Sequence, residues 1–460
     1  MSSKAPNYTS TQNACKLCSP LGASLVYKGI KGCIPLIHGS QGCSTYIRRY
    51  MISHFREPLD IASTNFHEAA AVMGGAENMK VALDNLIRQY NPEAIGIATT
   101  CLSETIGDDI NLLVKKYSSS RTEQSLPTLL HCSTPSYSGT HMNGYRLAVL
   151  SILKQVCAQS QKEIKLESTG SRKKIGIFPA LISPADLRFI KSLVESFSMD
   201  AVLVPDYSDT LDGPTWDEYT NMPPGGTSID EINSLSKADA CLELGNPLDN
   251  RLSASLYMEE QFGVKAYQQR LPIGIEATDR LIHTLSEISG KKTPASLNQE
   301  RGRLTDAYID AHKVCFDKRV LLFGDEELAL GLTSFLTEIG AKPVLIATGA
   351  VSPLFRETVG SISDMSPDTL IEDEMDFVKM LEMARDLKPD IILGSSKGYY
   401  LSRELQIPLV RAGFPIHDRF GGQRLEHLGY HGTLALFDRF VNTLLESKQE
   451  TEPVGYTYFG

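Results

Sequence analysis

The sequence predicts an α/β protein of three doubly wound domains with parallel sheets, and three observations carry that expectation. The chain has 460 residues, about three domains at roughly 150 residues each. Most of nine short apolar runs rich in β-branched residues lack the period-two alternation of half-exposed strands, as strands covered on both faces do. Helical patterns separate these runs, so strand and helix alternate along the chain.

The first segment, 1–165, carries IPLIHG (34–39) and AIGIATTC (94–101), the latter followed by a helical pattern over LSETIGDDI. A polar stretch at 159–174 reads as a linker. The second segment, 166–298, contains KIGIFPA (174–180), AVLVPD (201–206) and ACLELG (240–245). Between the first two, SPADLRFIKSLVESF (183–197) offers Ser183 as N-cap, Pro184 at the first helical position and Asp186 in the first turn. Leu187, Ile190, Leu193, Val194 and Phe197 then recur at helical spacing. Residues 206–230, with DGP and PPGG, read as a long loop. A break near 290–300 opens the third segment, 299–460, with RVLLFGD (319–325), PVLIATG (343–349), DIILGSS (390–396) and IPLVRAGFP (407–415). A helix over 326–339 is stopped by Gly340, with Pro343 beyond, and a C-terminal helix closes the segment. No fixed-period repeat interrupts this order.

Hydrophobic residues make up 42% and charged residues 22% of the chain, which excludes disorder, collagen and coiled coil as global descriptions. Forty-five basic against 55 acidic residues give a net charge of −10, so a nucleic-acid or membrane-surface partner would repel it. No run approaches the ~18 apolar residues of a membrane span. The first residues lack the apolar core of a secretory signal, and a cytoplasmic location is expected.

Six of the nine cysteines (Cys15, Cys18, Cys33, Cys43, Cys101 and Cys132) fall in the first 132 residues, a clustering that points to metal or redox chemistry rather than disulfides. Ligands of open parallel sheets bind beyond the carboxyl ends of strands. Cys43 ends HGSQGC, directly after the strand IPLI, where Gly39 and Gly42 would let backbone approach a bulky ligand. Cys101 ends AIGIATTC and immediately precedes the following helical pattern, a place where N–H groups favour a thiolate. Cys18 sits in CKLCSPLG, where Pro20 and Gly22 mark irregular backbone. Three thiolates from separate loops favour soft-metal chemistry. Any one of them alone is more often a buried structural thiol. Cys15 has no second C-x-x-C to complete a zinc site and reads as non-ligating.

Other motifs carry less. There is no G-x-x-x-x-G-K-[ST], G-x-G-x-x-G after a strand, or G-x-S-x-G, so ATP hydrolysis, dinucleotide binding and an α/β-hydrolase elbow have no support. GSSKG (394–398) after a strand reads either as a phosphate loop or as a plain βα turn. His54, Arg56 and Glu57 in ISHFREP, and Asp306 with Asp310 one helical turn apart, read as a cation site or as solvated and paired charge. His38 reads as a packing residue beside the Cys43 loop, and His67–Glu68 has no evident partner.

Taken in order, HGSQGC (38–43), HFREP (54–58), TTCLSETIGDD (99–109), TPSYSGTH (134–141), LDGP (211–214), ERGRL (300–304) and GFPIHDR (413–419) resemble the β-type subunits of the nitrogenase component 1 superfamily. The resemblance runs from about residue 13 to 440. It implies three α/β domains and a cluster site at the interface with an α-type subunit in an α2β2 complex. The positions that resemble its ligands are Cys18, Cys43 and Cys101, with Ser136 as a redox-dependent extra ligand. Three thiolates cannot close such a cluster alone, so a partner half-site is implied. Arg56, Glu57, Asp306 and Asp310 resemble residues of a cation site between two β subunits.

Within the superfamily the resemblance divides. The NifN-type subunit of the cofactor-assembly scaffold pairs with NifE, carries an interface [4Fe-4S] cluster and often supplies only the cysteine matching Cys43. There the precursor of the iron–molybdenum cofactor, delivered by NifB and held mainly by the partner, receives molybdenum and homocitrate through the nitrogenase iron protein. The catalytic molybdenum–iron protein β subunit pairs with NifD and relays electrons through an [8Fe-7S] P-cluster. Cys18, Cys101 and Ser136 favour the catalytic subunit. Met73 in AVMGGAEN stands where that subunit usually presents phenylalanine to the iron protein. TPSYSGTH also departs from its usual TPSFVGSH. DRFGGQRLEHLGYHG (418–432) resembles the NifN ending, and the terminal YTYFG lacks the customary catalytic tail. On balance these features lead to the scaffold as the expected function and the catalytic subunit as the alternative. A tetrapyrrole reductase subunit is the third reading.

Overall fold

The structure, a computed structural model, describes residues 14–121, 126–157, 172–215, 217–218 and 220–451. Residues 159–171 of the linker expected over 159–174 lie outside them, as do the tails 1–13 and 452–460.

Thirteen strands form three wholly parallel sheets among the described residues. The first sheet has the order β2–β1–β3–β4, with β1 at Cys33–His38, β2 at Ala62–Ser63, β3 at Ala94–Thr99 and β4 at Thr128–Cys132. The second runs β6–β5–β7–β8, from β5 (Lys174–Phe178), β6 (Asp200–Leu203), β7 (Ala240–Leu244) and β8 (Ala266–Gln269). The third runs β11–β10–β9–β12–β13, from β9 (Arg319–Phe323), β10 (Lys342–Ala347), β11 (Leu370–Glu372), β12 (Ile391–Gly394) and β13 (Leu409–Arg411). All nine expected strands form. The four unanticipated ones, β2, β4, β8 and β11, are each outermost in their sheet and partly exposed. An edge strand covered on fewer sides does not need a continuous apolar run, so it leaves a weaker sequence signal.

The helix Pro184–Ser196 begins as expected, with the Ser183 hydroxyl accepting the Asp186 N–H at 2.9 Å. The helix Glu326–Glu338 likewise stops before Gly340 at φ +73°. The pattern after Cys101 differs from expectation. It forms a five-residue helix, Cys101–Thr105, then breaks at Gly107 (φ +83°) and restarts as Ile110–Ser119. Glycine suits that break because a side chain resists positive φ.

One buried ion cluster links helices packed on the first and third sheets to a strand of the second. Arg146, on the helix His141–Val156, donates to Glu327 at 2.9 and 2.6 Å, to Glu243 of β7 at 3.2 Å and to the Leu244 carbonyl at 2.9 Å. All three charged groups are buried. Among the described residues no helix is long and apolar enough to cross a membrane.

Candidate metal centre

The strand order of the first sheet decides where a ligand can sit. From β1 the chain goes outward to β2, then returns to the other side of β1 to form β3. This reversal is a topological switch point, and ligands of open parallel sheets bind beyond the carboxyl ends of the strands at such a point. In register, His38 of β1 pairs with Thr99 of β3, so their following loops leave the sheet side by side. The first loop leads through Gly39 and Ser40 into the helix Gln41–Phe55, which carries Cys43 near its start. The second leads through Thr100 into Cys101. The loops are tied together where Thr100 donates from its N–H (3.2 Å) and hydroxyl (3.1 Å) to the His38 carbonyl.

Gly39 therefore has a different role from the one its position suggested. A Cβ there would lie 2.2 Å from the Thr100 hydroxyl oxygen, so it is the neighbouring loop that requires glycine. At Gly42 a Cβ would meet nothing of the chain closer than the Ser40 hydroxyl at 3.7 Å, so the space beside this loop stays open.

Cys18 and Ser136 arrive from a helix crossing. The helices Ser19–Lys28 and His141–Val156 approach so closely that a Cβ at Gly22 would lie 1.7 Å from the His141 carbonyl oxygen. A Cβ at Gly144 would lie 1.9 Å from that of Ser19. Two glycines at facing positions let the backbones touch, and this contact carries Cys18, the N-cap of the first helix, against the loop before the second. There the Ser19 N–H donates to the Ser136 hydroxyl at 3.1 Å, and the Ser136 N–H to the Cys101 sulfur at 3.2 Å.

Cys18, Cys43, Cys101 and Ser136 thus form one constellation. Burial raises the Cys18 thiol above its usual range. Hydrogen bonds from Ser136 and Tyr46 oppose that rise, and the neighbouring Cys101 and Cys43 add to it. Burial, and then Cys18 beside it, also raises the Tyr46 phenol. The Ser40 hydroxyl reaches the Cys43 sulfur at 3.5 Å. Sequence reasoning missed Tyr46 and Ser40, although Tyr46 lies one helical turn after Cys43 and the i, i+3 spacing places both on one face. Cys18 and Cys43 are half-buried, Cys101 is exposed, and Leu102 and Tyr137 stand exposed nearby. The constellation opens outward rather than into the chain's own core.

Its backing is firm. His38 is buried, with Nε2 3.1 Å from the Asp108 carboxylate, which also accepts the Gly75 N–H at 2.9 Å. Burial lowers the His38 pKa, against the pull of Asp108. The other early cysteines lie elsewhere. Burial pushes Cys33 and Cys132 up to about 12, with Cys132 against the Tyr27 hydroxyl at 3.2 Å. Cys15, also pushed up to about 12 by burial, faces Lys397, Asp325 and Gly349.

The four residues expected near a cation do not meet within one chain. Arg56 donates to the His417 carbonyl at 3.2 Å and lies over the Phe420 ring. Burial, and then Asp212, raises the pKa of the half-buried Glu57 carboxyl. Asp306 and Asp310 stand exposed on the helix Ala295–Cys315. Among the described residues no group of three or more His, Cys, Asp or Glu is placed to hold a single metal ion, the Cys18, Cys43 and Cys101 thiols included. GSSKG does not present a free phosphate loop. Its Lys397 ammonium donates to the Ala14 carbonyl at 2.7 Å and its Ser396 hydroxyl to Asp418.

Comparison with known proteins gives a consistent result. The family described as nitrogenase component 1 type oxidoreductase matches residues 18–445. The nitrogenase molybdenum-iron protein beta chain of Clostridium pasteurianum is 35% identical over 437 residues, 94% of this chain and 93% of that one. The protein of the same description from Methanothermobacter marburgensis is 33% identical over 448 residues (95% and 94%), and that from Azotobacter vinelandii 34% over 454 (96% and 85%). Among solved structures, a chain of nitrogenase Cp1 at pH 6.5 superposes with a TM-score of 0.91 at 33% identity, covering 99% of this chain and 98% of that one. A chain of nitrogenase Cp1 at pH 5 shares the fold, with a TM-score of 0.71 at 16% identity.

Proposed function

This chain belongs to the nitrogenase component 1 type oxidoreductase family as a β-type subunit, and from that premise we propose that it is the β subunit of a molybdenum–iron nitrogenase. On this reading Cys18, Cys43, Cys101 and Ser136 supply half of an [8Fe-7S] P-cluster shared with a NifD-like α subunit in an α2β2 complex. The observation that carries the proposal is the convergence of three thiols and a serine hydroxyl on one outward-facing patch. The donor set fits the group. Sulfur ligands suit iron–sulfur clusters rather than a hard cation, and an open face leaves room for a partner's ligands. The full complement of cysteines and the names of the relatives turn the balance from the scaffold toward the catalytic subunit.

When bound, the cluster supplies one-electron storage and transfer. The chain's own groups do the holding. The three thiolates bind iron, the Ser136 hydroxyl stands ready beside Cys18, and its N–H polarises the Cys101 sulfur. Hydrogen bonds to ligating sulfur tune cluster potential, which assigns that task to Tyr46, Ser40 and the Ser136 N–H. The exposed Val72 and Met73, 84% and 89% accessible, offer an apolar knob for the iron protein that delivers electrons. Arg56 and Glu57 of one copy would meet Asp306 and Asp310 of a second around a cation.

The test is anaerobic co-purification with the α subunit, followed by iron analysis, EPR and acetylene reduction with the iron protein. Eight irons at the interface with iron-protein-dependent turnover are expected. A four-iron signal, little turnover and activation of cofactor-free nitrogenase would refute the proposal and establish a NifEN-like scaffold. Met73 specifically favours that second reading, since methionine replaces the usual docking phenylalanine. If Met73→Phe raises turnover in an active complex, docking is what limits this protein. An active complex indifferent to the change removes this argument for the scaffold.

A further inference from the structure

The third sheet lies far along the chain from the cysteines, yet it grips the segment that delivers Cys18. Ala14 forms an antiparallel bridge with Asp376. A Cβ at Gly349, just past β10, would lie 2.3 Å from the Cys15 carbonyl oxygen and 3.0 Å from the Lys16 nitrogen, so the backbones touch. Lys397, in the turn after β12, donates its ammonium to the Ala14 carbonyl at 2.7 Å. Lys397, Cys15, Lys16 and Leu17 line one small cavity with His141 and Asp325. Beyond it, Cys18 is bridged to Thr140, and the His141 N–H closes on the Leu17 carbonyl at 3.0 Å.

We propose that Lys397 is a positioning residue for the cluster half-site, holding the 14–18 arm through the Ala14 carbonyl while its positive charge stabilises the more reduced state of the bound cluster. Its hydrogen bond points at the arm rather than at solvent, and the groups its charge meets are the Cys15 and Cys18 sulfurs and then the Asp325 carboxylate. A half-buried charge is screened less than one on the surface. Each added electron makes the cluster more negative, so a fixed cation nearby favours reduction. The turn that resembled a phosphate loop thereby acquires a role on the cluster side of the molecule.

The inference rests on the proposed cluster reading, and three variants of the α2β2 complex separate the two roles. Lys397→Arg keeps donor and charge, Lys397→Gln keeps a donor without charge, and Lys397→Met keeps neither. Redox titration followed by EPR reads charge as potential and position as line shape. For both neutral variants a shift to more negative potential is expected, with the reduced-to-oxidised ratio at a fixed potential falling about tenfold, or 59 mV for one electron. The line shape should change in Lys397→Met alone, and Lys397→Arg should match wild type in both. Iron-replete Gln and Met complexes titrating like wild type would overturn the inference. If Lys397→Met does not assemble, the Gln and Arg pair still tests the charge. A wild-type complex without an interface cluster would instead overturn the function proposed above.

Discussion

Replacing Gly144 by alanine tests the link between the helix crossing and the cysteine site. The added methyl carbon would sit 1.9 Å from the Ser19 carbonyl oxygen, 2.6 Å from its carbon and 2.7 Å from its hydroxyl. Real contacts of this kind do not fall below 3.0 Å, so Ser19 must retreat by about 1.1 Å or more along that contact. Overpacking of this kind costs about 1–3 kcal/mol, against which alanine returns about 1 kcal/mol of helix propensity. The displaced Ser19 N–H also leaves the Ser136 hydroxyl, for about 1 kcal/mol more. The net expectation is a loss of about 1–3 kcal/mol. The site should suffer more than stability does, because Cys18 precedes Ser19 and a ligand constellation tolerates only about 0.5 Å. The assay compares iron per αβ pair and urea unfolding in Gly144→Ala and Gly302→Ala. Gly302 lies inside the helix Ala295–Cys315 with nothing within 4 Å of its missing Cβ, so alanine there should add about 1 kcal/mol and keep full iron. Should Gly144→Ala behave like Gly302→Ala, the crossing does not position Cys18 and the argument fails.

Arg146→Met leaves Glu243 and Glu327 buried without their cation and should cost about 3–5 kcal/mol, read from urea unfolding; wild-type stability would show the three-sheet junction to be dispensable. His54 is buried, accepts the Ile416 N–H at 2.8 Å and is lowered by burial from 6.5 to about 3. The unfolded chain therefore takes up a proton that the folded one refuses. This contribution is intact above pH 6.5 and is lost as the pH falls toward 3, at up to about 1.4 kcal/mol per pH unit. His54→Gln should flatten this part of the stability profile, and an unchanged slope would refute the assignment. Cys18→Ala, Cys43→Ala and Cys101→Ala should each lower the iron content of the complex, whereas Cys132→Ala, whose thiol packs on Tyr27, should retain it. Iron loss in the Cys132 variant alone would invert the assignment.

Where chemistry was legible in the sequence, local physics made it so. Strands such as β3 and β9 are covered on both faces, so burial shows as an unbroken apolar run. Edge strands such as β2 and β11 are not, and no run betrays them. Cys43 and Cys101 could be singled out because each follows a recognisable strand, and the carboxyl end of a parallel strand is where ligands sit. Cys18 carried a weaker mark, a cysteine beside Pro20 and Gly22 with no strand before it. Ser136 carried none and became a candidate through resemblance, because the contact joining it to Ser19 spans 117 positions. Tyr46 carries only a helical-spacing signal, and Lys397 looked like part of a phosphate turn until its ammonium was seen to face the Ala14 carbonyl.

The sequence by itself determined the α/β alternation, the central strands and the early clustering of cysteines, since periodicity, burial and composition are properties of short segments. Tertiary structure decided which thiols meet, that they face outward, and which distant groups hold them. Those outcomes depend on the strand order β2–β1–β3–β4 and on a backbone contact at Gly22 and Gly144. Neither the order nor the contact has a local signature, because both are settled by how separate segments pack.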